Sequence, residues 1–255
     1  MKLDKLYGLV SKAVSSLDLA GIWPGFSPLR FALYDKDACF FDGAYIEKTD
    51  AFCANTAIVY QGEPIAIWKV GGEPDISVLT AKIVHEMFHA YQIGQGWDCW
   101  ADEMDALYRY EYDTENLALR LRENELLLSL AEHFDEGALR ELLSHRKRRS
   151  EEHPYEFSYE SKIEEIEGSA AYVEWRVLRQ LDEHAAAAMT GRMRAAVSSV
   201  LRNISPSDGG FPGKDACCQK VSGALAAFHK ESEAIIHTAL DRNEVALGVP
   251  RSCSA

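Results

Sequence analysis

The run His85-Glu86-Met87-Phe88-His89 holds the residues best suited to chemistry in this chain. On an α-helix, positions i and i+4 lie about 40° apart around the axis and about one turn apart along it. Both imidazoles then project from one face, and two of their nitrogens can bind a single Zn²⁺ at about 2.0–2.1 Å. Glu86 stands beside the first histidine, within reach of a metal-activated water, where a carboxylate serves as general base. Ile83, Val84, Met87, Phe88 and Tyr91 make much of the same helix apolar. Buried histidines and a buried glutamate are costly unless paired or bound to a metal. The plain alternative is a polar trio on a helix surface with no metal.

Two histidines leave a zinc site one protein ligand short. His89 is followed by Ala90-Tyr91-Gln92-Ile93-Gly94-Gln95-Gly96, and the next histidine is His133. A carboxylate is therefore expected. The best placed is Glu167, in Ile166-Glu167-Gly168-Ser169-Ala170-Ala171-Tyr172-Val173-Glu174. Ile163, Ile166, Ala170, Val173 and Val177 recur at heptad-like spacing and predict a core-facing stripe that Glu167 flanks. Gly168 costs about 1 kcal/mol in a helix relative to Ala, and its small size allows a close approach. Otherwise Glu167 joins Glu160, Glu164 and Glu174 on an exposed acidic face. If residues 98–150 do not form a separate helical pair, Glu111 or Glu115 becomes the alternative ligand.

The His85-Glu86-Met87-Phe88-His89 helix, with Glu167-Gly168-Ser169-Ala170-Ala171-Tyr172 downstream, resembles the gluzincin branch of zincin metallopeptidases. The resemblance implies Zn²⁺ on His85, His89 and Glu167, with Glu86 as base and a peptide or protein as substrate. It also implies a sheet beside the active-site helix whose edge strand holds an extended peptide. Ile65–Val70 is the expected edge, binding by strand addition. The gap of 78 positions between His89 and Glu167 requires an inserted helical pair over 98–150. No exopeptidase signature that would anchor a substrate amino terminus is found. Glu164 and Glu174 are the expected partners of the histidines' other ring nitrogens. Tyr172, Tyr159, Tyr155 and His153 are candidates to stabilise a tetrahedral intermediate. Tyr91, Trp97 and Trp100 read as core or rim. A second reading is a catalytically inactive zincin-fold protein that binds zinc and a peptide or protein partner. A third is a metal-free helical interaction protein.

These residues need a scaffold. Leu3, Leu6, Leu9, Val10, Ala13, Val14 and Leu17 predict an amphipathic helix over about 2–20. A loop follows through Gly21, Pro24, Gly25 and Pro28. The β region spans 31–74, with strands at 31–34, 39–41, 56–60 and 65–68 and a hairpin turn at Gln61-Gly62-Glu63-Pro64. A helix capped by Asp75 or Ser77 carries the motif to about Ile93. Helical patterns cover 98–133, 136–150 and 158–182. A loop is expected over Ser205–Gly213 and a last helix over about 214–246. The predicted architecture is helix-dominant α+β: a small N-terminal sheet on the active-site helix, then a helical body. The whole of 1–255 reads as a single zincin-like catalytic domain, with the active-site helices over 75–182 and further helices over 183–255.

Composition narrows the function classes. At 47% apolar and 26% charged, the chain is neither a disordered nor a low-complexity sequence. Its net charge of −13 repels phosphate backbones and anionic lipid, so neither nucleic acid nor membrane is an expected partner. The basic run His145–Arg149 reads as a solvated helix end. There is no phosphate-binding glycine loop and no G-x-S-x-G elbow. The N-terminus lacks a signal-like apolar run, and no window reaches 18 apolar residues. Cys39, Cys53, Cys99, Cys217, Cys218 and Cys253 form no C-x-x-C pair, which fits reduced thiols and a cytoplasmic setting. His229 and His237 read as ordinary helix histidines.

Overall fold

Two left-handed turns set the register of the sheet. Asp42 and Gly43 have φ of 50° and 84°, and Gln61 and Gly62 have φ of 53° and 83°. Paired positive φ values make the two-residue hairpin turn whose twist matches its strands. The computed structural model describes residues 1–203. The expected loop at 205–213, the helix at 214–246 with His229 and His237, and Cys217, Cys218 and Cys253 lie outside the described residues. The chain opens with α1 (Leu3–Ser15) and the short α2 (Leu19–Ile22). The expected single helix over 2–20 divides because Asp18 caps a new start, accepting from the Gly21 amide at 3.0 Å.

Five strands follow: β1 (Phe31–Tyr34), β2 (Cys39–Phe41), β3 (Ala44–Ile46), β4 (Thr56–Tyr60) and β5 (Glu63–Lys69). β3 is not among the expected strands; the Asp42-Gly43 turn is its sequence signal. The sheet order is β3-β2-β1-β5-β4. β5 pairs with β1 in parallel and with β4 in antiparallel fashion. This corrects the expectation for Ile65–Val70. β5 is an interior strand with both ladders occupied, so it cannot accept an added peptide strand; β4 is the edge on that side.

One face of the sheet carries Phe31, Leu33, Phe40 and Ala66 into the main core with α1 and α3 (Ile76–Gly94). The other face, with Ala32, Tyr34, Phe41, Ile65 and Ile67, is closed by Phe52. Asp75 caps α3, accepting from the Val78 amide at 3.0 Å. Beyond that cap α3 is apolar around most of its girth, which suits a helix buried on several sides. Phe88 is fully buried, with Trp23 and Phe26 edge-on to its ring and Tyr91 stacked on it. Burying one such side chain contributes about 1.5–3 kcal/mol.

The helical body comprises α4 (Glu103–Arg109), α5 (Thr114–Glu132), α6 (Glu136–Glu152), α7 (Pro154–Ile163), a π-helical turn (Glu164–Gly168), α8 (Ser169–Leu181) and α9 (Glu183–Asn203). The expected helix over 98–133 breaks before Asp113, which caps α5 by accepting from the Glu115 and Asn116 amides. Leu126, Leu127, Leu130 and Leu142 join α5 to α6. Pro154 starts α7, where its missing N–H costs nothing. Among the described residues no helix is long and apolar enough to cross a membrane.

The basic run corrects a second expectation. Arg149 is fully buried, and Arg146 turns inward beside it. With Arg120 they face Glu123, Glu160 and Glu164, three cations against three carboxylates. Arg120 Nη1 lies 2.6 Å from Glu164 Oε1, Arg146 Nη2 2.8 Å from Glu164 Oε2, and Arg149 Nη1 3.0 Å from Glu123 Oε2. Arg149 also pairs with Glu160, to which Tyr110 Oη donates at 2.5 Å. Burial opposes the charge on Arg120, but Glu164, Glu160 and Glu123 outweigh it and raise its pKa. Removing one member strands a buried charge. Arg149→Met should therefore lower unfolding free energy by about 3–5 kcal/mol in urea titration. A loss below about 1 kcal/mol would show that the cluster contributes no net stability.

Candidate metal centre

Helix α3 places His85, Glu86 and His89 in the interior, at 2%, 9% and 7% exposure. The two imidazoles stand edge to face, and their Nε2 atoms lie 3.1 Å apart. Glu167, from the π-helical turn, completes a triangle. Its Oε2 is 3.7 Å from His85 Nε2, and its Oε1 is 3.5 Å from His89 Nε2. Ligand atoms each about 2 Å from a tetrahedral ion sit about 3.3 Å from one another. The 3.1 Å between the two Nε2 atoms and the contacts of 3.5 and 3.7 Å, one to each carboxylate oxygen, lie near that value, and these residues form a group able to hold a metal ion.

Proton bookkeeping strengthens the fit. His85 Nδ1 lies 3.1 Å from Glu174 Oε2, an atom that can only accept. His89 Nδ1 lies 2.7 Å from Gln92 Oε1. The Gln92 amide is oriented by its other end, because its Nε2 donates to the Ile166 carbonyl at 3.1 Å and to Ser169 Oγ at 3.0 Å. For His89 the Gln92 oxygen assigns the ring proton to Nδ1, and the Glu174 carboxylate beside His85 Nδ1 favours the same tautomer there. Both Nε2 lone pairs then point toward one another and toward the Glu167 carboxylate. Such a convergence of lone pairs is repulsive by itself and suits a cation.

The π turn explains how one helical rod serves two clusters. On an α-helix Glu164 and Glu167, three residues apart, would share a face. The wider π turn separates them. Glu164 goes to Arg120 and Arg146, and Glu167 goes to the histidines. The Ile166 carbonyl, inside this turn, accepts from both Gln92 and Ser169. Gln92 therefore ties the turn that carries Glu167 to the ring of His89.

The remaining site candidates fall as follows. Glu174 stands behind His85 and is also 3.2 Å from Lys82 Nζ. Glu160, Glu164 and Glu174 are all buried, so they form no exposed acidic face. Tyr172 Oη accepts from Arg176 Nη1 at 2.6 Å. Tyr155 Oη donates to Asp105, Tyr159 rests its ring on Tyr110, and His153 Nε2 lies 3.9 Å from Asp113. Those three partners belong to α4 and its flanks. Glu115 pairs with Arg148, on the outer side of the α5–α6 pair. Trp97 lies in the aromatic cluster with Trp23 and Phe88, whereas Trp100 lies at the rim with its ring 6.1 Å from that of His89. Burial pushes the Cys39 thiol up to about 11, so it is protonated and unreactive near neutral pH.

Gln92 was not among the sequence candidates. Its signal is its place three residues after His89, on the same helical face. With Zn²⁺ as the probe metal, Gln92→Leu should weaken uptake at this group by about 10–100-fold while the chain stays folded. Competition against a chromophoric chelator measures this directly, and unchanged affinity would show that His89 needs no such support.

Comparison of the chain with protein-family models, curated proteins and solved structures finds no match in any of the three. The functional reading therefore rests on this geometry.

Proposed function

We propose that this chain is a zinc-dependent hydrolase of peptide bonds, of gluzincin type, with His85, His89 and Glu167 as ligands and Glu86 as general base. The observation that carries the reading is the convergence of two Nε2 atoms and one carboxylate, with Glu86 next in sequence to the first ligand. Two imidazoles and one carboxylate suit Zn²⁺ and leave a coordination position for a reacting group. A zinc ion bound there supplies Lewis-acid polarisation of a carbonyl and acidifies water. The protein's own part is positioning and proton transfer. Glu174 and Gln92 hold the two rings in the tautomer that presents Nε2. Glu86 takes the proton of the attacking water and returns it to the leaving amine. Its carboxylate has no ion pair or hydrogen bond among the described residues, which leaves it available for that task. The test is hydrolysis of an unfolded protein by zinc-loaded chain. Cleavage should stop with chelator and resume when zinc is restored. Zinc binding without cleavage of any peptide would overturn the hydrolase reading.

A further inference from the structure

We propose that Trp100 and the outer face of α4 form a docking strip for the substrate of this site, and that it selects segments whose large apolar side chains are flanked by lysine or arginine. The inference rests on the peptidase reading and adds the substrate class.

Among the described residues eleven large hydrophobics are exposed, and five of them fall between Trp100 and Tyr112. That clustering separates the segment from the single exposed apolar residues that any surface carries. Met104, Leu107 and Tyr108 are spaced i, i+3, i+4, so they share one face of α4, and Tyr108 is 84% exposed. The opposite side of α4 is anchored. Ala106 is buried, Asp105 Oδ2 accepts from Tyr155 Oη at 2.9 Å, and the Arg109 guanidinium lies 4.3 Å from the Tyr155 ring centroid. The apolar face therefore points outward because α4 is held that way. Trp100, four residues before Met104 in sequence, has its ring 6.1 Å from that of His89, which places the start of this exposed segment beside the metal centre.

Charge identifies the occupant. From Asp98 to Glu115 there are seven acidic residues and one basic residue, Arg109. Arg109 is already paired with Asp105. Asp98, Glu103 and Glu111 are exposed and have no side-chain ion pair among the described residues. An apolar strip set among uncompensated carboxylates attracts cationic segments and repels acidic ones. Anionic lipid is disfavoured on the same ground.

The test uses the zinc-loaded Glu86→Gln full chain, so that bound peptide is not consumed. A fluorescein-labelled synthetic peptide of leucine and phenylalanine flanked by lysine is titrated and read by anisotropy. Two control peptides carry glutamate for lysine, or serine for the apolar residues. The lysine-apolar peptide should bind, and binding should weaken as salt rises. Combined Met104→Ser, Leu107→Ser and Tyr108→Ser should weaken it by about tenfold or more with zinc content unchanged. Equal binding of the glutamate peptide, or no effect of the triple substitution, would overturn the strip while leaving the metal centre standing. A dimer in sedimentation that the triple substitution dissolves would overturn it in favour of a second copy. Absence of zinc in the starting protein would instead count against the peptidase reading.

Discussion

Glu86→Gln is expected to slow peptide-bond hydrolysis by about 10²–10⁴-fold, or about 3–5 kcal/mol of barrier, while zinc stays bound. The amide keeps the size of the carboxylate but cannot take a proton from water. Structural damage is not expected, since no described hydrogen bond or ion pair depends on Glu86 and its neighbours are held by other groups. His85 faces Glu174, and His89 faces Gln92. The measurement is kcat/KM on a fluorogenic peptide, with metal content of the same sample. A wild-type rate would remove Glu86 from the chemistry. Loss of zinc together with activity would assign it to the site's construction instead.

Glu167→Ala is the second large effect. Glu167 is the only carboxylate in the triangle, and its side chain is 34% exposed, so truncation leaves no sealed cavity. The expected result is a loss of zinc affinity beyond the 10–100-fold assigned to Gln92, about 10³-fold or more, in a chain that remains folded. Thermal melting gives an independent reading. A ligand at about 1,000 times its Kd stabilises the folded state by about 4 kcal/mol. In a chain of this size that raises Tm by about 8–16 °C. Wild-type protein should show the rise when zinc is added, and Glu167→Ala should show little. Equal rises would place the third ligand elsewhere.

Local pattern made much of the scaffold legible. The two histidines and Glu86 share one helix, and strands β1, β2 and β4 fall where short apolar runs and turn residues put them. Strand order was not legible, because pairing partners are chosen by the whole sheet. Ile65–Val70 reads as a strand in isolation, and only the parallel pairing of β5 with β1 makes it interior. The buried arginines were hidden for another reason. A charged residue that is paired in the core and one that is solvated look the same in a periodic pattern. Arg146 and Arg149 sit in a run that resembles a solvated helix end, yet they meet Glu123, Glu160 and Glu164 from other helices. The π turn at Glu164–Gly168 leaves only a faint trace in sequence. Its apolar stripe stays buried, and its effect is to turn Glu164 and Glu167 toward different partners. Gln92 was legible in principle, one turn beyond His89, but its role depends on a carbonyl 74 positions away.

The most direct test of the metal centre is zinc stoichiometry by inductively coupled plasma mass spectrometry. Protein purified without chelator is compared with His85→Ala and Glu167→Ala chains prepared alongside. The geometry predicts about one zinc per wild-type chain and little in either variant. Wild-type protein that takes up no zinc at neutral pH, even when it is offered in excess, would contradict the account. The His85–His89–Glu167 triangle would then be a buried polar cluster and no metal site.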